Sequence, residues 1–201
     1  MNEKNGIYAV ILAAGYSSRF RGNKLLSIVA GKPVLSHVIE SVMASAVQAA
    51  AIVVPDDETF KHLIPAGIQA IKNELRSGGM STSIRTGVNF FKNAAQAVML
   101  IAADQPLVGS DIIDGLIAKY QIHPNSIVCC SVEGTPRNPM IFPEEFFGDL
   151  LNLEGDAGGK IVAISNMERV VGVEIPHERL ADIDSTDDLR RISEIISESK
   201  P

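Results

Sequence analysis

The chain has no tryptophan, and aromatic residues make up 5% of its 201 positions. No aromatic cluster therefore marks a slot for a flat heterocycle. Cysteine is almost as scarce. Cys129 and Cys130 are the only two, and neighbours on an extended strand point to opposite faces, so they are badly placed to pair or to share one metal. They read as small buried filler. No apolar run reaches the ~20 residues of a membrane span, and the polar start Met1–Gly6 lacks a signal-peptide core. A soluble, cytoplasmic protein is expected. Basic charge is also short: the formal net charge is −6, with a pI near 5.2, which speaks against a broad nucleic-acid surface. There is no Gly-x-Ser-x-Gly, and no cysteine lies near a histidine, so no nucleophile–base pair presents itself. The Gly-x-Gly-x-x-Gly of dinucleotide-binding dehydrogenases is missing after the first strand, and Asp56 is only a partial match for their ribose-binding carboxylate.

Cations, though few, are concentrated. An uncharged run from Ile7 to Ala14 is short enough for one buried strand. The chain then breaks at Gly15, passes Ser17 and Ser18, and delivers Arg19, Arg21 and Lys24 within six residues. A strand ending in a glycine-bearing, cation-rich loop is how α/β proteins hold phosphate: N–H groups approach closely where no Cβ intervenes, and the cations neutralise the oxygens. Apolar spacing then predicts a helix over 33–45, with Pro33 in its first turn, and a strand over 50–54. A short helix over 58–64 and a strand over 68–71 follow. His37 reads as a structural or exposed histidine.

At 73–87 two glycines precede Ser81, Thr82 and Ser83, a loop turning into a helix whose free N–H groups those hydroxyls can cap. Ala97–Ala103 is a charge-free strand stopping at Asp104. A carboxylate at the end of a buried parallel strand lies where open α/β sheets bind ligands. Asp is also a hard oxygen donor suited to Mg²⁺. Ser110 is the expected cap of a helix over 110–121, followed by a strand over 127–132. Residues 133–139 read as a turn-rich loop, with Pro139 holding Asn138 extended. A helix over 144–153, a glycine-rich loop at Gly155–Lys160 entering another helix, and a strand over 169–175 come next. Asp184 is expected at a strand end, and a helix runs over 186–197 with Asp187 and Asp188 at its positive end. Residues 198–201 should fray. Strand–helix alternation up to Val132 predicts a mostly parallel, doubly wound sheet with right-handed crossovers, its loops meeting at the carboxyl edge. One domain is expected, 1–201: nucleotide side to about 132, acceptor side 133–185, and a final helix 186–201.

Leu12-Ala13-Ala14-Gly15-x-Ser17-x-Arg19 with Lys24 resembles the signature of Rossmann-like nucleotidyltransferases, and most of all the molybdenum cofactor cytidylyltransferases. The fold so implied is a three-layer α/β/α one. Arg21 stands where that family has glycine, with Gly22 one place later. The resemblance runs nearly the length of the chain, through Gly79–Ile84, Asp104-Gln105-Pro106, Asn138-Pro139, Gly155–Lys160 and Asp182–Asp188. Lys160 replaces the usual arginine, and Ser185-Thr186 the usual Thr-Pro. What it implies is transfer of CMP from CTP to the phosphate of molybdopterin with release of pyrophosphate. Lys24 and Arg19 would grip the β- and γ-phosphates, and Mg²⁺ would sit on Asp104, shared with Asp184. Leu12, Ala13, Ala14, Gly15, Ser17, Gly79, Met80, Ser81 and Ser83 would hold the nucleotide, and Asn138, Pro139, Gly155, Asp156 and Lys160 the acceptor. An apo molybdenum hydroxylase is the implied downstream partner. Related activities share the opening loop: GMP transfer to molybdopterin, or CMP or UMP transfer to a sugar or alditol phosphate. A noncatalytic carrier of the finished cofactor is a further alternative, though it would have little use for Lys24 and Asp104 together.

Overall fold

The computed structural model describes residues 4–15, 22–55 and 58–198. Among the described residues, nine strands and six α-helices run in the order β1 (Ile7–Leu12), β2 (Ile28–Val29), β3 (Lys32–Pro33), α1 (Val34–Met43), β4 (Ala49–Val54), β5 (Ile68–Lys72), α2 (Met80–Phe91), β6 (Ala97–Ala102), α3 (Ser110–Ile122), β7 (Ile127–Val132), β8 (Thr135–Pro143), α4 (Phe147–Leu151), α5 (Gly159–Ser165), β9 (Val170–Glu174) and α6 (Thr186–Glu198). Seven strands form one sheet in the order β5-β4-β1-β6-β8-β7-β9, and β2 and β3 pair as a separate ribbon. All pairings in the large sheet are parallel except those of β8, which is antiparallel to β6 and β7.

Period-two alternation divides the strands between two cores. Ile7, Ala9 and Ile11 of β1, with Met99 and Ile101 of β6, pack against α1, α3 and α6 on one face. Val10, Val98 and Leu100 pack against α2, α4 and α5 on the other. The result is the three-layer arrangement. Both cysteines are buried, free and on opposite cores. Burial pushes their thiols up to about 11 and about 12, so neither supplies thiolate at neutral pH. Helix α2 lies so close to β1 that a Cβ on Gly87 would stand 2.2 Å from Val10 Cγ1.

Differences from the sequence expectations are local. Residues 135–139 belong to β8, because the β7–β8 hairpin turns at Glu133–Gly134 and pairing resumes at once. Only 61–63 of the short helix expected at 58–64 coil, as a 3₁₀ turn. The N-cap of α3 is Gly109, not Ser110. Asp184 lies in the irregular stretch between a 3₁₀ turn at His177–Leu180 and α6, not at the end of a strand. His37 is buried and its Nε2 lies 2.8 Å from the Val29 carbonyl, a structural role. Among the described residues no helix is long and apolar enough to cross a membrane.

Candidate active site

The sheet's topology reverses at β1. The chain passes from β1 through α1 to β4 on one side, then from β5 through α2 to β6 on the other. α1 and α2 cover opposite faces, so a crevice opens beyond the carboxyl ends of β1 and β6, the place where open α/β sheets bind ligands. A cleft of about 530 Å³ occupies it, lined by Leu12, Ala14, Gly15, Lys24, Arg76, Gly79, Met80, Ser83, Ala102, Asp104, Asn138 and Asp156. That volume is in the range of small-molecule sites.

Lys24 begins a 3₁₀ turn, Lys24–Leu26, whose cap Asn23 accepts the Leu25 N–H at 3.1 Å. Its Nζ stands 2.6 Å from Asp104 Oδ2 and 3.1 Å from Asp184 Oδ1. Burial draws the ammonium's pKa down, but the two carboxylates more than offset this and leave it raised. Lys24 is therefore a cation throughout the neutral range. Asp184 reaches the site because its segment is tied to the end of β6: the Ile183 N–H donates to the Asp104 carbonyl at 3.0 Å, and Gln105 Nε2 donates to the Leu180 carbonyl at 3.1 Å. Ile183 is fully buried between Asp182 and Asp184, so both carboxylates turn to the Lys24 side. Desolvation, then Asp104, pushes Asp182 up to about 6; Asp184 adds to this, while the Gln105 amide and Lys24 oppose it.

The second wall is built on Asn73, directly after β5. Its side chain is buried. Oδ1 accepts the Leu75 N–H at 3.0 Å, and Nδ2 donates to Thr82 Oγ1 and Ser83 Oγ, both at 2.9 Å. Thr82 Oγ1 in turn donates to the Gly79 carbonyl at 2.7 Å. The hydroxyls of 81–83 thus do not cap α2, contrary to expectation. They are bound elsewhere or turned inward, and the Ser81 N–H is met by the Gly155 carbonyl at 3.1 Å. Gly79, at φ +89°, faces the same loop: a Cβ there would lie 2.4 Å from Gly155 C and O and 2.7 Å from Asp156 Oδ1. The expected nucleotide loop and acceptor loop are therefore in direct contact.

β8 brings in Asn138. Because it runs against β6, with Leu100 opposite Met140, its early residues arrive at the edge where β6 ends.

Of the residues singled out from sequence, Leu12, Ala14, Gly15, Lys24, Gly79, Met80, Ser83, Asp104, Asn138 and Asp156 share this cleft. Ala13 does not: it is buried in the core, with its N–H donated to the Val53 carbonyl. Ser81 and Pro139 are also buried away from the cleft lining, and Gly155 and Lys160 stand outside it. Ser17, Arg19 and Arg21 lie outside the described residues. Arg76, Ala102, Asn73 and Asp182 were not anticipated. For Asp182 a signal existed: the Asp-Ile-Asp alternation around an apolar residue puts both carboxylates on one side.

A sequence model of the MobA-like NTP transferase domain matches residues 9–170. The chain belongs to that family. A relative described as a probable molybdenum cofactor guanylyltransferase, from Thermococcus sibiricus, is 31% identical over 120 residues, which is 60% of this chain and 58% of that protein. The chain is thus matched to less than two thirds of that relative's length. Among solved structures, a nucleotidyl transferase from Methanothermobacter superposes with a TM-score of 0.84 at 19% identity, covering 98% of this chain and 100% of that one. Rv0371c of Mycobacterium tuberculosis, in complex with manganese, gives 0.76 at 23% identity, covering 94% and 99%. At these identities the superpositions speak for the fold of the MobA-like domain alone.

Proposed function

We propose that this MobA-like domain is a nucleotidyltransferase that moves CMP from CTP to the phosphate of molybdopterin and releases pyrophosphate. The observation that carries the reading is the apposition of Lys24 with Asp104 and Asp184 at the mouth of a cleft of nucleotide size. The cytidylyl and pterin assignments rest on the resemblance of Gly79–Ile84, Asn138-Pro139 and Gly155–Lys160.

Asp104 and Asp184 offer hard oxygen donors, which fits Mg²⁺. Among the described residues no group of three or more His, Cys, Asp or Glu side chains is disposed to hold an ion alone. Phosphate oxygens and water would complete the shell, as Mg²⁺ prefers. When bound there, Mg²⁺ would supply charge neutralisation for the triphosphate.

In the reaction, a phosphate oxygen of molybdopterin forms a bond to the α-phosphorus in line, and the bond from that phosphorus to the bridging oxygen breaks. Pyrophosphate leaves with the electron pair. Such chemistry asks for positioning and charge neutralisation more than for a covalent nucleophile. Lys24, with Arg19 from the opening loop, steadies the triphosphate tail and the departing pyrophosphate. Asn138 and Asp156 face the cleft from the acceptor side and orient the acceptor molecule, Asp156 by accepting hydrogen bonds from its N–H or O–H groups. That phosphate is already ionised at neutral pH, so no general base is needed.

A second reading, GMP transfer to the same acceptor, is favoured by the description of the Thermococcus relative. Incubating the purified protein with molybdopterin, Mg²⁺ and either CTP or GTP, and measuring pyrophosphate and product mass, separates the two. No pyrophosphate from either would refute both and leave the carrier reading.

A further inference from the structure

We propose that Asn73 is a positioning residue that fixes the Ser83 hydroxyl as a hydrogen-bond donor into the cleft, where it reads an acceptor oxygen on the nucleoside. The inference rests on the reading of the cleft as a nucleotide site and deepens it.

The wiring leaves one polarity. Asn73 Oδ1 faces a backbone N–H, that of Leu75, so the amide cannot be flipped and Nδ2 must face the two hydroxyls. Both Nδ2 hydrogens are then committed, one to Thr82 and one to Ser83. A hydroxyl has one proton and two lone pairs. Thr82 directs its proton at the Gly79 carbonyl. Ser83 accepts from Asn73, and among the described residues its own proton meets no acceptor. Ser83 is only 5% exposed, yet it lines the cleft. A nearly buried hydroxyl whose lone pair is occupied from behind presents its proton forward. The cleft that Ser83 lines also carries the apolar Leu12, Ala14, Met80 and Ala102 and the donors Lys24, Arg76 and Asn138. A neutral hydroxyl donor suits a base carbonyl or a ribose hydroxyl, whereas the cations Lys24 and Arg76 suit phosphate.

The test measures the dissociation constants of CTP and GTP with Mg²⁺ by titration calorimetry, for the wild type and for Ser83→Ala, Asn73→Asp and the double variant. Asp at 73 has no donor. One oxygen keeps the Leu75 N–H while the other draws in the Ser83 proton, turning a lone pair toward the ligand. Ser83→Ala and Asn73→Asp should each weaken the preferred nucleotide by about tenfold, the scale of one hydrogen bond to a group otherwise left unpaired. The double variant should be no weaker than the singles, since both remove one interaction. Thio-substitution of the base carbonyl and 2′-deoxy-substitution of the ribose locate the acceptor: the substitution that matters costs affinity in the wild type and nothing in Ser83→Ala. If Asn73→Asp does not melt cooperatively, Asn73→Ala takes its place, and the Ser83→Ala effect should shrink in that background. Losses that multiply in the double variant, or analogues that lose equally with and without Ser83, overturn the inference while leaving the nucleotide site intact. A wild type that binds neither triphosphate overturns the nucleotide reading and this inference with it.

Discussion

Replacing Gly79 by alanine tests the contact between the two loops. Its backbone sits at φ +89°, ψ −174°, a region occupied essentially by glycine, and an L-residue there costs ~1–3 kcal/mol in strain alone. The added Cβ also falls 2.4 Å from Gly155 C and O. That overlap is with backbone, so no rotamer change relieves it. Either residue 79 leaves its conformation, disturbing the carbonyl that Thr82 holds, or the 155–156 turn moves outward and takes Asp156 with it. A total of about 2 kcal/mol appearing as stability would lower Tm by roughly 4–8 °C for a chain of this length. Appearing instead as lost affinity it is roughly 30-fold. Thermal melts and triphosphate titration on the same preparation read both. Because the two routes share one strain, a variant that loses little Tm should lose more affinity. Gly79→Ala with wild-type Tm and wild-type affinity together would refute the proposed packing.

Asp188 and Ser185 form a capping pair at the start of α6. Ser185 Oγ accepts the Asp188 N–H, and Asp188 Oδ2 accepts the Ser185 N–H and hydroxyl. The Ser185 hydroxyl is the main reason that the Asp188 carboxyl lies below its ordinary 3.8. Its stabilisation is present above 3.8 and fades as pH falls through the lowered value. Asp188→Asn should therefore melt earlier than wild type at pH 7, with the gap closing in acid. Asp182 runs the other way. Its folded value near 6 exceeds the ordinary 3.8, so ionisation works against the fold as pH rises between the two. In metal-free protein Asp182→Asn should raise Tm at pH 7.5 and leave it unchanged near pH 3.5; a lower Tm at pH 7.5 would contradict the assignment. Gly87→Ala, placing a methyl 2.2 Å from Val10 Cγ1, should destabilise by ~1–3 kcal/mol through overpacking, visible as a shifted denaturant midpoint.

The sheet was largely legible because its central strands are short, uncharged runs bounded by glycine, proline or aspartate. Ile127–Val132 matches its expected bounds, and β1, β4 and β6 differ by a residue or two. Parallel order followed from strand–helix alternation. The antiparallel β8 did not, since Glu133–Pro139 carries two prolines and a glycine, and local turn chemistry masks a strand that long-range pairing imposes. Asp104 was readable from its place after β6. Asn73 was not: its importance lies in hydrogen bonds to residues nine and ten positions on, and isolated asparagines abound in loops. Ser81 through Ser83 looked like caps because their types suit the role. A distant carbonyl, that of Gly155, and the Asn73 amide took the bonds instead.

The central claim is that Lys24 and Asp104 serve one triphosphate. Pyrophosphate release from CTP in the presence of molybdopterin and Mg²⁺, followed for wild type, Lys24→Ala and Asp104→Ala, tests it most directly. The account predicts turnover by the wild type and none by either variant, both keeping a cooperative melt. Wild-type turnover in Asp104→Ala, with ordinary Mg²⁺ dependence, would contradict it.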